Sequence, residues 1–599
     1  MADPKQAQTP QRSGLSSNTV DYGDRDFALF LRRAFIKGAG YTDEDLGRPI
    51  VGIVNTGSDF NPCHGNVPAL IEAAKRGISQ AGALPMVFPT ISLHESFAAP
   101  TSLYLRNLMS MDTEEMIRAQ PMDAVLLIGG CDKTLPAQVM GALSAGRPFV
   151  VLPTGPMLSS QWAGERVGAC TDCRRLWADY RAGRLNQTQI QEANNRLVPS
   201  VGTCSVMGTA STMACVLEAM GLTVAGAASA PAVSADRVRL ATASGAAAAA
   251  LASGRVSMPT IGQSQFDNAL ATLLAVGGST NGLVHLAAMM GRIGLDLQPK
   301  AFNAMADKTP VLVDLKPGGQ GYMPDFHEAG GMPRLMLELD GHLDLTVPTV
   351  TGETLEQRLD QLSALGRIEH HAQTVIRSAQ QPIYPAGGLR FLFGNLAPHG
   401  AVIKPVAASP ALLTHQGRAV VFEGLEDMAA RLDDPALDVG PQDVLVLRGI
   451  GPLAAGMPEA GLIPIPKKLA AQGVRDMVRL SDGRMSGTAA GTIVLHISPE
   501  ARVGGPLALV RNGDLIRLDV EAGRIELLVD EAVLTSRASE ARHYTSDCLQ
   551  LGDLVAMAGC MPSRSCRPRR AAIFGFFEPR QRTDGADHST PQPRLSRQT

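Results

Sequence analysis

The 599-residue sequence has almost no net charge: 54 Lys and Arg stand against 57 Asp and Glu, a formal −3. Binding that works by neutralising phosphates needs a basic excess, so no nucleic-acid partner is expected. Long apolar runs are also missing. The most apolar window, Leu240 to Ser253, is mostly alanine, too short to span a bilayer and broken by Thr, Ser and Gly, so it reads as a packed helix and no membrane partner is expected. The first thirty residues are polar and hold no apolar stretch of the kind a secretory signal needs. The nine cysteines are odd in number and scattered from Cys63 to Cys566, which excludes a disulfide framework and points to a reducing, cytoplasmic setting. P-loop and G-x-G-x-x-G motifs are absent, which counts against nucleotide binding. The G-x-S-x-G elbow of Ser-His-Asp hydrolases is absent too. What is plentiful is apolar residues, 45%, together with 61 Gly and 40 Pro. That is enough for large cores joined by many loops, in two to four domains.

Residues 1–26 carry no periodicity and read as a flexible arm. From there short apolar runs alternate with helical patterns: Ile50 to Val54, then a helix over Val67 to Ala81; Asp123 to Ile128, then a helix that Pro136 starts; and Phe149 to Leu152. This alternation predicts α/β units around a parallel sheet over 27–384, with 158–200 polar and helical. Beyond a Gln, Pro and Gly cluster near 380–388, runs such as Ala401 to Val406, Arg418 to Phe422, Val444 to Leu447, Thr492 to Ile497 and Ile525 to Val529 predict a smaller β-rich sandwich or barrel over 385–560. The last stretch, 561–599, has eight Arg against three acidic residues and reads as a basic, disordered, solvated tail.

Three cysteines sit in turns flanked by Gly or Pro: Asn61-Pro62-Cys63-His64, Gly129-Gly130-Cys131-Asp132-Lys133 and Gly202-Thr203-Cys204-Ser205. At least two of the turns follow predicted strands, at the sheet edge where open α/β folds bind ligands. Thiolates there suit zinc or an iron–sulfur cluster, although spacing alone does not separate them from buried thiols serving as small apolar side chains. Cys170 and Cys173 form a C-x-x-C, but no second ligand pair follows, so an exposed helix start without metal is expected. Cys215, among Ala, Met and Leu, reads as core. Glu95, Asp132 and Glu459 lie in turns rather than on charged helix faces; such oxygen ligands suit Mg²⁺ if they meet. Lys133 would otherwise pair with Asp132. Ser486, in Ser481-Asp482-Gly483-Arg484-Met485-Ser486-Gly487, reads as a turn residue. The turn Gly277-Gly278-Ser279-Thr280-Asn281-Gly282 offers backbone N–H groups to an anion at a helix start.

Together, N-P-C-H, I-G-G-C-D-K-T-L-P, G-T-C-S-V-M-G-T-A-S-T-M-A, G-G-S-T-N-G-L-V-H-L and S-D-G-R-M-S-G-T resemble the IlvD/Edd family of dihydroxy-acid and sugar-acid dehydratases, in register from about residue 27 to about 545. The resemblance implies a parallel α/β domain beside a barrel-like carboxyl-terminal domain, assembled as a homodimer or homotetramer. It implies an iron–sulfur cluster, [2Fe–2S] or in some members [4Fe–4S], on Cys63, Cys131 and Cys204. It also implies Mg²⁺ on Glu95, Asp132, a carbamylated Lys133 and Glu459, with Ser486 as catalytic base. The reaction implied is loss of water from a 2,3-dihydroxy acid to give a 2-keto-3-deoxy acid. The segment Ser92-Leu93-His94-Glu95-Ser96, with Pro100-Thr101-Ser102 after it, resembles the pentonate branch, implying L-arabinonate or D-xylonate as substrate. The alternatives are 2,3-dihydroxy-isovalerate, or a catalytically silent sugar-acid-binding protein. The ending departs from the acidic, aromatic close usual in the family: from Cys548 the chain runs through Cys560 and Cys566 into the arginine-rich tail.

Overall fold

A computed structural model describes residues 13–17, 23–368, 373–460 and 463–545. Strands β1 (Ile50–Asn55), β2 (Leu84–Pro89), β3 (Ala124–Gly129) and β4 (Phe149–Pro153) form a parallel sheet in the order β2-β1-β3-β4. Every residue of β3 and β4 is buried, which is why both read as continuous apolar runs rather than alternating ones. The helix after β1, Val67–Gln80, lies against the alanine-rich helix Ala235–Ala252. A Cβ on Gly77 would stand 1.9 Å from the Thr242 carbonyl oxygen, so only glycine allows this approach. No described helix is long and apolar enough to cross a membrane.

The stretch expected to be helical at 158–200 opens instead with a hairpin, β5 (Ser160–Trp162) and β6 (Glu165–Val167), before the helices Thr171–Arg181 and Gln187–Leu197. The hairpin is made by its turn, where Ala163 and Gly164 both take positive φ, and its polar strands carry little signal of their own.

In the second half eight strands close a barrel. They are β7 (Arg390–Gly394), β8 (Ala397–Ile403), β9 (Thr414–Glu423), β10 (Val444–Arg448), β11 (Arg479–Ser481), β12 (Ile493–Ser498), β13 (Leu515–Asp519) and β14 (Arg524–Leu527). Their order is β10-β11-β12-β8-β7-β14-β13-β9. Closure decides between the sandwich and the barrel and leaves no free edge. β9, β10, β11 and β12 run parallel, so the loops after β10 and β11 leave the barrel on the same side. Those two loops reach the carboxyl edge of the parallel sheet.

Within the stretch expected as an arm, residues 13–17 are held: the Asp123 carboxylate accepts from Gly14 N at 2.8 and 2.9 Å, and Leu15 is buried. The basic tail, 561–599, and the cysteines at 548, 560 and 566 lie outside the described residues.

Candidate active site

All four sheet strands deliver groups to one place, because parallel strands have their carboxyl ends at one edge. After β1, the turn Pro62–His64 buries Cys63. After β3, Cys131 leads into the helix Thr134–Ala145. Just past β4, Met157 N donates to the Thr203 carbonyl at 2.8 Å and Thr203 N to that of Gly155 at 2.9 Å, which brings in Cys204. His64 ties the first two turns together. Its Nε2 accepts from the backbone N–H of Gly130 at 2.9 Å and of Cys131 at 3.1 Å, so Nδ1 carries the proton and donates to the Thr56 carbonyl at 2.9 Å. Burial keeps this ring neutral, with its pKa pulled down to about 4. A Cβ on Gly130 would meet Thr154 Oγ1 at 1.8 Å, and that hydroxyl donates to the Cys63 carbonyl at 2.8 Å. The Cys63 thiol is pushed well up by its hydrogen bond with Cys131, by burial and by the nearby Cys204.

Beside them, Glu95, Asp132 and Glu459 each bring a carboxylate oxygen within 4.8 Å of the others. Lys133 is buried among them, its Nζ 2.6 Å from Asp132 Oδ2 and 2.8 Å from Glu95 Oε2. Burial works against this ammonium, yet Asp132, Glu95 and Glu459 hold its pKa above the usual lysine value. Arg484 closes the cluster, with Nη1 3.0 Å from Glu459 Oε2 and Nη2 2.9 Å from Glu95 Oε1. Burial alone would raise the Glu95 pKa, but Lys133 and Arg484 hold it well below the carboxylate range. For Glu459, burial and the charge of Glu95 prevail and push it up. Ser102 donates to Glu95, and Thr101 to the Gly456 and Met457 carbonyls at 3.0 and 3.2 Å, so the Pro-Thr-Ser segment braces both halves of the cluster. Met457 has φ +53, a conformation that favours glycine; Arg484 Nε, donating to its carbonyl at 2.8 Å, helps hold it there.

Ser486 is partly exposed at the end of the same loop as Arg484. Its Oγ lies 2.8 Å from Thr488 Oγ1, and Thr488 Oγ1 accepts from Arg174 Nη1 at 2.8 Å. Arg174 Nη2 also reaches Glu459 Oε1 at 3.3 Å, which links the serine to the carboxylates. The Gly277–Gly282 turn does not offer its N–H groups to an anion as its sequence suggested. Ser279 Oγ takes the Asn281 N–H at 3.1 Å, and Asn281 Nδ2 donates to the Met485 carbonyl at 2.9 Å, so the turn holds the serine loop.

A family model described as dihydroxy-acid/6-phosphogluconate dehydratase N-terminal matches residues 48–358, and its C-terminal counterpart matches 374–558. The chain belongs to this dehydratase family. L-arabonate dehydratase of Azospirillum brasilense is 44% identical over 87% of this chain and 90% of its own length. 6-Deoxy-6-sulfo-D-gluconate dehydratase of Pseudomonas putida is 42% identical over 83% and 85%. A dihydroxy-acid dehydratase of Methanothrix thermoacetophila is 36% identical over 85% and 92%. The C-terminal match extends past the expected end near 545 to residue 558, so it takes in Cys548 and stops short of Cys560 and Cys566.

The members of this family are dehydratases, hydro-lyases in chemical terms, and two sets of donors in the present one fit distinct groups. Cys63, Cys131 and Cys204, soft donors on three turns at one sheet edge, suit iron ligation, and the three carboxylates suit a hard divalent cation. Sequence reasoning missed several residues of this dehydratase. Arg484 lay in a quoted motif but was read as part of a turn. Thr488 closed the same motif without being given a role, and Arg174 carried no signal. The C-x-x-C was expected to start an exposed helix, and Cys170 does precede the helix Thr171–Arg181, but its Sγ lies 3.1 Å from Cys204 Sγ and neither residue is fully exposed. Cys215 is buried in the core, as expected. His285 is buried too, accepting from Arg106 Nη1 at 3.0 Å through Nδ1; burial, then Arg106 and Lys133, drive its pKa well down, so it faces the cluster as a neutral ring.

Proposed function

We propose that this chain dehydrates a 2,3-dihydroxy sugar acid, a pentonate such as L-arabinonate or D-xylonate, to the 2-keto-3-deoxy acid. The observation that carries this reading is the meeting of Glu95, Asp132 and Glu459 around Lys133 and Arg484, with Ser486 tied to the same cluster through Thr488 and Arg174. Cys63, Cys131 and Cys204 hold the iron–sulfur cluster, [2Fe–2S] or [4Fe–4S], and Glu95, Asp132, Lys133 and Glu459 hold Mg²⁺. When bound, these groups supply Lewis acidity toward the departing C3 hydroxyl and the charge that develops at the carboxylate end.

Ser486 takes the C2 proton. A neutral serine is a very poor base, and its surroundings address that: with its oxygen accepting from Arg174, Thr488 has its hydroxyl hydrogen free to donate to Ser486 Oγ, and Thr488 N approaches the same oxygen at 3.4 Å. Donors aimed at Oγ favour its anionic form. Lys133 is held as a cation by Asp132 and Glu95, whereas carbamylation needs its neutral amine. Carbamylated by CO₂ with loss of a proton, Lys133 would offer an oxygen ligand beside Glu95, Asp132 and Glu459, the residues that would hold the cation.

The sugar-acid reading is supported by the Ser92–Ser102 segment, whose Ser102 braces Glu95, and by relatives named for L-arabonate and sulfogluconate. The relatives named dihydroxy-acid dehydratase make 2,3-dihydroxy-isovalerate the second substrate to try. The assembly proposed is a homodimer or homotetramer, which light scattering reads directly. The test of function is a panel of aldonic acids and dihydroxy-isovalerate offered to anaerobically reconstituted protein. Turnover of pentonates is expected. Turnover of dihydroxy-isovalerate alone would replace the substrate, and binding without turnover would make this a silent sugar-acid-binding protein.

A further inference from the structure

Cys170 stands apart from the three proposed cluster ligands, and the mechanism does not use it. It is 34 residues from Cys204 in sequence, yet their sulfurs are 3.1 Å apart. Cys204 is carried by the turn laced to the end of β4, and Cys170 by the start of the helix Thr171–Arg181. That helix start is fixed from the barrel side: Thr171 Oγ1 donates to the Thr488 carbonyl at 3.0 Å, and Arg174 bonds Thr488 and Glu459. The two sulfurs are therefore held together by the surrounding fold. Exposure is uneven around the site. Cys63 and Cys131 are buried, whereas Cys170, Cys173 and Cys204 each keep some exposed surface.

We propose that Cys170 and Cys204 are an oxidative modification site: when the cluster is absent, the two thiols close to a disulfide. A disulfide S–S bond is about 2.05 Å, so the sulfurs need only about 1 Å of further approach. The step balances with a peroxide as oxidant. One thiolate displaces water or hydroxide from hydrogen peroxide to give a sulfenic acid; the second attacks that sulfur, the S–S bond forms and a second water leaves. Two thiols lose two electrons and two protons, and one peroxide becomes two waters. Cys204 is then blocked as a ligand until a thiol or dithiol reduces the bond. The disulfide does not depend on the dehydratase reading, but its consequence for cluster loading rests on the proposed ligand role of Cys204, and the experiment separates the two.

Full-length protein stripped of iron under reducing conditions is freed of reductant, treated with stoichiometric hydrogen peroxide, alkylated and mapped by peptide mass spectrometry. The expected product is a peptide pair joined through Cys170 and Cys204 that dithiothreitol reverses. A Cys204 that remains alkylatable, or a dominant Cys170–Cys173 or Cys63–Cys131 link, would overturn the proposal. In a second arm, the oxidised protein and its reduced control are offered ferrous iron without sulfide or thiol, either of which would reopen the bond, and bound iron is counted. Wild type is expected to load several-fold less than its reduced control, while C170S loads equally before and after peroxide. A Cys170–Cys204 link that leaves iron loading unchanged would keep the modification site and remove Cys204 from the cluster.

Discussion

Replacing Thr488 with valine removes one oxygen and keeps the shape. The Thr171 bond to the residue 488 carbonyl is a backbone contact, so the loop stays tethered, and Arg174 keeps its 3.3 Å contact with Glu459. What is lost is the hydroxyl 2.8 Å from Ser486 Oγ, together with the bond it accepts from Arg174 Nη1 at 2.8 Å. A hydrogen bond to a charged group contributes about 1.5–3 kcal/mol, so a bond that forms fully only to the serine alkoxide puts kcat down by roughly 10- to 160-fold. The change acts on the base rather than on binding, so KM should stay within about twofold of wild type. Fewer donors make the alkoxide harder to form, so the acid limb of the kcat–pH profile should move to higher pH. The assay is steady-state release of 2-keto acid from a pentonate over a pH series, with visible absorbance recording an intact cluster. A variant with intact cluster, kcat within twofold of wild type and an unmoved acid limb would refute the Thr488–Ser486 argument.

Arg484→Met leaves Glu95 and Glu459 buried without their shared cation; breaking such a pairing costs about 3–5 kcal/mol, read as a lower urea midpoint in metal-free protein, and a change below about 1 kcal/mol would contradict the charge balance described. Gly130→Ala should displace Thr154 and with it the Cys63 turn, giving protein that binds several-fold less iron; full iron content would show that the turn can relax. His64 titrates near 6.5 when unfolded and near 4 in the fold, so the unfolded chain takes up the proton first as pH falls. Its contribution is therefore fully present above pH 6.5 and declines by about 3 kcal/mol by pH 4, a slope that His64→Gln should flatten; superimposable stability–pH curves would rule this out.

The elements easiest to read in the sequence were those whose environment is uniform. β1, β3 and β4 are continuous apolar runs because burial on both faces asks for nothing else, and the alanine-rich helix announces its close packing. β11, with three residues, and the hairpin at Ala163 and Gly164 have too little length for a pattern. Site residues divide in the same way. Cys63, Cys131 and Cys204 stood out because they sit in glycine- or proline-marked turns, whereas Glu95, Asp132, Lys133, Glu459 and Ser486 took their expected roles from the family resemblance. Arg174 and Cys170 lie at a helix start in a polar stretch, where arginine and cysteine are ordinary, and only tertiary packing brings them to Thr488 and Cys204. His64 was visible in its motif, but its role as the tie between two turns exists only once β1 and β3 are neighbours.

The most direct measurement is the rate at which full-length protein, reconstituted anaerobically with iron and sulfide and supplied with Mg²⁺, releases 2-keto-3-deoxy acid from L-arabinonate. Sustained turnover is expected, falling to background in Cys131→Ser, Glu459→Gln and Ser486→Ala, with the last of these keeping its cluster spectrum. Wild-type protein with full iron and sulfide content that turns over no aldonic acid would contradict it.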